Sequence, residues 1–125
     1  MKTYICKKEY KKECRETKRA IELSVRNLSD RITAYENQNI QFNSIFNDDY
    51  VKYDKHGEFY TFKSQKCSLQ LRILYAYLII DGEPIILIAD YFITKKNNKN
   101  YINRFDYIND TNPKTMLQSS LCYQI

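Results

Sequence analysis

Leu69-Gln70-Leu71-Arg72-Ile73-Leu74-Tyr75-Ala76-Tyr77-Leu78-Ile79-Ile80, then Asp81-Gly82-Glu83-Pro84, then Ile85-Ile86-Leu87-Ile88-Ala89-Asp90-Tyr91-Phe92-Ile93-Thr94, is the stretch that decides the fold. Both arms are rich in β-branched and aromatic residues, which suit the pleated surface of a strand. Asp81-Gly82 between them reads as a hairpin turn, because glycine at positive φ matches the twist of paired strands. Pro84 has no backbone donor, so it belongs at the start of the returning strand or in a slightly longer loop. Folding the hairpin brings Arg72 opposite Tyr91 to Ile93, with Lys95 and Lys96 just beyond. Alternation puts Leu71 and Ile73 on one face, and Gln70 and Arg72 on the other.

Upstream of the hairpin, Glu58-Phe59-Tyr60-Thr61-Phe62-Lys63 has strand composition, and Asp54-Lys55-His56-Gly57 reads as a turn. Residues 38–55 are polar and mixed, with Phe42, Ile45 and Phe46 as apolar anchors. From about Lys8 to Asn37 the chain holds strong helix formers without Gly or Pro. Tyr10, Cys14, Ile21, Val25, Leu28, Ile32 and Tyr35 recur at helical spacing and draw one apolar stripe. Asn27-Leu28-Ser29-Asp30 places capping residue types in mid-run, so two antiparallel helices compete with one long helix. The broken version is favoured, because a helix of about 30 residues is unusual in so small a domain. Thr3 to Cys6 reads as a short first strand. Beyond the hairpin, Tyr101, Phe105 and Ile108 fall at i, i+4 and i+7, predicting a helix that ends before Asn112-Pro113. Met116, Leu117 and Leu121 suit a second short helix. The expected fold is therefore α+β: an N-terminal helical hairpin packed on a small antiparallel sheet with a mixed edge, closed by a C-terminal helix. One domain accounts for residues 1–125, with strand and helices over about 1–37, sheet over about 58–96 and helix over about 98–110.

Composition narrows the chemistry. The 125 residues are 43% hydrophobic, enough for a core and too many for a disordered tail. No apolar run reaches the roughly 18 residues that span a bilayer. No hydrophobic segment of signal-peptide length precedes the first charges, so the expected compartment is the cytoplasm. Cys6, Cys14, Cys67 and Cys122 contain no C-x-x-C pair and have only His56 as a companion. That disfavours a metal site and predicts reduced thiols, with no cofactor implied. The net charge of +5 is uneven: residues 1–36 carry ten Lys/Arg against six acids, and residues 63–104 carry seven against three. A basic surplus favours a polyanionic partner through phosphate contacts and counterion release.

Arg72, Lys95 and Lys96, with Lys63, Lys66 and Lys99, can gather at one end of the sheet beside tyrosines. Cations next to aromatic rings suit the grip on a single-stranded RNA backbone. Plainer readings stand beside this one. Arg72 can salt-bridge Asp90 across the hairpin, Lys95-Lys96 can be solvated strand-end charges, and Tyr101 fits a helix core. His56 reads as a turn residue without an evident partner. The sequence contains no G-x-x-x-x-G-K and no H-E-x-x-H.

Leu71-Arg72-Ile73-Leu74-Tyr75, the Asp-Gly turn, and Ile85 to Phe92 leading into Ile93-Thr94-Lys95-Lys96 resemble the hairpin core of RelE/HigB-type toxins. Phe59-Tyr60-Thr61-Phe62-Lys63 resembles the strand that precedes that core in the superfamily. The resemblance implies a RelE-like fold and the toxin of a toxin–antitoxin pair. Its implied activity is metal-independent endoribonuclease cleavage of mRNA on the translating ribosome, by attack of the 2′-hydroxyl on the phosphodiester. By the same resemblance Arg72 matches a phosphate-binding arginine and Lys96, with Lys95, a transition-state stabiliser. Lys63 matches a strand cation, and Tyr101 lies within a residue of a tyrosine that in some members stacks on a base or assists proton transfer. Lys66 and Lys99 add RNA-binding charge. Thr61 stands where some members carry a further lysine, so no general base is assigned. The implied partners are a cognate antitoxin and ribosome-bound mRNA. Two other functions remain open at this level: a ParE-like toxin that inhibits gyrase, and a non-enzymatic RNA- or partner-binding domain.

Overall fold

A computed structural model describes residues 1–45, 48–64, 70–94, 104–119 and 121–125. The hairpin is its centre. Strand β4 (Gln70–Ile80) pairs antiparallel with β5 (Glu83–Thr94), from Gln70 opposite Thr94 to Ile80 opposite Glu83. Only Asp81 and Gly82 remain in the loop, at φ 52° and 78°. Both are left-handed, the combination whose twist matches the flanking strands. Pro84 lies opposite Ile79, second in its strand. The register shifts between Leu74 and Tyr75, which leaves Ala89 as the extra residue of a bulge.

The other strands extend this pair on both sides. Strands β1 (Lys2–Ile5), β2 (Asp54–His56), β3 (Phe59–Lys63) and β6 (Tyr123–Gln124) complete a six-stranded sheet in the order β2-β3-β4-β5-β1-β6. β1 runs parallel to β5, and every other neighbouring pair is antiparallel.

Each face of the sheet is covered. One carries Phe62, Leu71, Ile73, Tyr75, Ile86 and Ile88 beneath helix α1 (Arg15–Asn37), whose Ile21, Val25, Leu28 and Ile32 are buried against them. The other carries Phe59, Leu74, Ala76, Leu87 and Phe92 beneath Phe105 and Ile108, with Met116 and Leu117 of the short helix α2 (Pro113–Leu117) alongside. The alternation that separates Leu71 and Ile73 from Leu74 and Ala76 is what builds two apolar layers on one sheet.

The sequence-based architecture needs correction at several points. The N-terminal helical hairpin is absent: residues 15–37 form one helix, and the break falls earlier, where a 3-10 turn over Lys8–Lys12 ends at Glu13 and Cys14. At 23 residues α1 is about 34 Å long, close to the roughly 36 Å of the eleven-residue β4. A helix that spans the sheet buries its whole stripe, whereas a break at Asn27 to Asp30 would lift Ile32 off the core. Ser29 and Asp30 sit on or near the outer surface and do not interrupt it. The expected C-terminal helix is also absent in its described part. Residues 104–110 make turns and a 3-10 segment over Asp106–Ile108, and residues 98–103 lie outside the described residues. The helix that does form begins at Pro113, capped by Asn112, whose side chain accepts from the Lys114 and Thr115 amides. Among the described residues the sheet has six strands, more than the small antiparallel sheet with a mixed edge that was expected. Asp54 to His56 is a strand, and the turn is Gly57-Glu58.

The cysteines also depart from expectation. Cys6, just after β1, is bonded to Cys122, just before β6. Cys14 is exposed and free. No helix among the described residues is long and apolar enough to cross a membrane.

Candidate nucleic-acid interface at the open end of the hairpin

The open end of the hairpin is where Gln70 meets Thr94. Arg72 lies there opposite Phe92 on one side and Lys63 on the other, so three strands bring the two cations into register. Both reach over one ring. The Lys63 ammonium lies 3.7 Å and the Arg72 guanidinium 4.6 Å from the centre of Tyr53. Tyr53 is held at the sheet edge by its amide, which donates to the Thr61 carbonyl at 2.8 Å. Next to this group, the Arg104 guanidinium lies 4.6 Å from the Phe92 ring. Each cation rests on a negative ring face, an attraction that orients the head group without cancelling its charge.

Asp90 is engaged elsewhere. It lies opposite Leu74, accepts from the Lys7 ammonium at 2.6 Å and from the Tyr107 hydroxyl at 2.5 Å. The Arg72–Asp90 salt bridge considered from the sequence is therefore replaced by Lys7–Asp90. Parallel pairing with β5 carries β1 toward the same end and delivers Lys7 there. Lys8, Lys11, Lys12, Arg15, Lys18 and Arg19 follow in sequence, but Lys11 lies over Tyr123 of edge strand β6 and Lys18 over Tyr10, away from Arg72. The open end of the sheet thus gathers Lys63, Arg72 and Arg104, with Lys7 paired to Asp90 beside them, a local excess of positive charge that draws in a polyanion.

Of the residues singled out from sequence, Arg72 and Lys63 are brought together. Lys66, Lys95, Lys96, Lys99 and Tyr101 lie outside the described residues. Sequence reasoning missed Tyr53, which sits in a polar stretch with no periodicity to mark it. It also missed a partner for His56. The His56 ring is buried, with 7% of its side chain exposed, and its Nδ1 lies 3.1 Å from the carboxylate of Asp106, which is 51% exposed. In a pair built for proton transfer the carboxylate is inside and the imidazole faces the substrate. Here that order is reversed. The ring also meets Phe105 edge-on at 6.0 Å. His56–Asp106 is a staple that ties the β2–β3 turn to the chain after β5.

A cleft of about 580 Å³ lined by Ile40, Phe42, Tyr77 and Ile79 opens at the other end of the hairpin, beside Glu36. Asn39, Gln41 and Asn43 share its lining, so it is mixed in polarity, and it lies away from Lys63 and Arg72. Among the described residues no group of three or more His, Cys, Asp or Glu is placed to hold a metal ion. Comparison with protein-family models, curated proteins and solved structures finds no match to this chain.

Proposed function

We propose that the open end of the β4–β5 hairpin binds single-stranded RNA, and that the protein is an mRNA-cleaving toxin held in check by an antitoxin. The observation that carries the binding is the convergence of Lys63 and Arg72 on the Tyr53 ring, with Arg104 on Phe92 beside it. Cations gathered at the ends of neighbouring strands suit backbone phosphates, and the half-buried Tyr53 ring beside them suits an unstacked base. The cleavage rests on the resemblance of residues 59–102 to RelE/HigB-type toxins. The single long α1 takes nothing from that motif, but it removes the two-helix N-terminus from its support.

In the proposed reaction the 2′-hydroxyl oxygen bonds to the adjacent phosphorus as the bond to the 5′-oxygen breaks. The 2′-proton leaves to a base, and the departing 5′-oxygen gains one. Arg72, with Lys95 and Lys96 by resemblance, stabilises the charge that builds on the phosphorane oxygens. His56 is not the base, because its ring is buried behind Asp106.

The test is inducible expression in a bacterial host of the wild type and of Arg72→Ala/Lys63→Ala, with mRNA 5′ ends mapped within minutes. New ends inside coding regions for the wild type alone are expected. Growth arrest without new ends would replace ribonuclease with gyrase inhibition, and arrest unchanged in the double variant would remove the site.

A further inference from the structure

We infer that Cys6 and Cys122 form a reversible redox latch that fastens the C-terminal strand to the edge of the sheet. Strand β6 contributes only two residues, Tyr123 opposite Ile5 and Gln124 opposite Tyr4, followed by the Ile125 amide donating to the Thr3 carbonyl at 3.0 Å. So short an edge strand has little hydrogen bonding and little apolar surface of its own to keep it in place. The covalent link sits immediately before it, between Cys122 and Cys6, the residue that follows β1. Both cysteines are half-buried at the rim of the second core layer, within reach of a small thiol.

The site accommodates both oxidation states. With the bond formed, the link tethers β6. With the bond broken, the Cys122 thiol has an acceptor in place, since its sulfur lies 3.0 Å from the Met116 carbonyl oxygen. The segment it releases is not inert. The Tyr123 ring lies 6.1 Å from Tyr10 and under the Lys11 ammonium at 4.5 Å. Its departure uncovers Tyr10 and the unpaired edge of β1, a backbone row able to accept another strand.

The reaction partner is a small-molecule disulfide such as oxidised glutathione. One cysteine thiolate attacks a glutathione sulfur and expels the first glutathione thiolate. The second cysteine thiolate attacks the mixed disulfide and expels the other, so two cysteine thiols and one glutathione disulfide become one protein disulfide and two glutathiones. The two thiol protons go to the departing thiolates.

The test uses the full chain equilibrated across ratios of reduced to oxidised glutathione. Thiol alkylation with mass analysis is read beside amide hydrogen exchange. Cys6 and Cys122 are expected to lose alkylation together in oxidising mixtures while Cys14 stays reactive. On reduction, the amides of Tyr123 and Ile125 should exchange at least about tenfold faster, with α1 and the β4–β5 hairpin unchanged. Cys6→Ser/Cys122→Ser should reproduce the reduced pattern in every mixture. Equal protection of the C-terminal amides in both states would overturn the latch. So would loss of protection throughout α1, which would make the bond a staple of the whole fold, or continued alkylation of Cys6 and Cys122 under oxidising conditions.

Discussion

Removing Lys63 and Arg72 together should change how RNA binding responds to salt as well as its strength. Two cations that neutralise phosphates release about two counterions, and for single strands each contributes about 0.7 to the slope of log affinity against log salt. Lys63→Ala/Arg72→Ala should therefore flatten the slope by about 1.4. Between about 50 and about 200 mM salt, the advantage of wild type over the double variant then shrinks by about sevenfold. Fluorescence anisotropy with a labelled single-stranded RNA, repeated across that range, measures the slope directly. Lys2→Ala is the control, because Lys2 pairs with Glu83 at 3.3 Å near the closed end of the hairpin. Its slope should match wild type. Tyr53→Leu adds a second axis: it removes a ring worth about 1–3 kcal/mol if a base stacks there, and it leaves both charges in the chain. It should lower affinity with little change of slope. The reasoning fails if the double variant keeps the wild-type slope, or if Lys2→Ala flattens it equally.

Gly57→Ala should destabilise more than Gly82→Ala in denaturant unfolding. Both glycines have positive φ, but a Cβ on Gly57 would lie 2.3 Å from the Asn109 carbonyl oxygen, while one on Gly82 meets nothing within 4 Å. The turn-only cost at Gly82 is about 1 kcal/mol, and Gly57 should exceed it. Leu28→Ala should cost about 2–5 kcal/mol, because Leu28 is fully buried between α1 and the sheet; a loss under about 1 kcal/mol would mean that the middle of α1 is not seated there. Asp48 should carry part of the acid limb of stability. Burial pushes its carboxyl up, but hydrogen bonds from Tyr35 and Arg31 outweigh burial and hold it below the ordinary value. A depressed carboxyl stabilises above its unfolded pKa, and that contribution disappears as pH falls through the folded one. Asp48→Asn should accordingly lower stability at neutral pH and flatten its fall below about pH 4; an unchanged acid limb would exclude Asp48 as a contributor.

What was legible in the sequence was what is decided locally. Asp81-Gly82 needs only its own φ angles and the apolar arms on either side, so the β4–β5 hairpin and the placing of Arg72 opposite the stretch Tyr91 to Ile93 follow from residues 69–94 alone; the two-residue loop then fixes Phe92 as its partner. The length of α1 does not. Asn27, Ser29 and Asp30 have the chemistry of helix caps, and nothing within ten residues of them says otherwise. The continuous helix is selected by the length of the sheet it covers, which is set some 40 residues downstream. Strand β2 escaped for the same reason: Asp54-Lys55-His56 has no strand propensity and becomes a strand by pairing with Phe59 to Thr61.

The site divides along the same line. Arg72 and Lys63 were legible because they sit on strands whose pairing could be drawn from pattern. Tyr53 was one of twelve tyrosines in a stretch without periodicity, and only the return of the chain at the sheet edge sets it beneath the two cations. Cys6 and Cys122 are 116 residues apart, and His56 and Asp106 are 50 apart. Spacing carries no pairing information at such distances, so neither contact leaves a trace in the sequence. These contacts also share a structural role. The disulfide ties the C-terminal strand to the first strand, and His56–Asp106 ties the β2–β3 turn to the segment after β5. Both lie on the layer opposite α1, where the covering chain has turns and one five-residue helix in place of a long one. A layer with so little regular structure depends on point attachments. Perturbing the His56–Asp106 attachment should therefore loosen that layer first, while the α1 side holds.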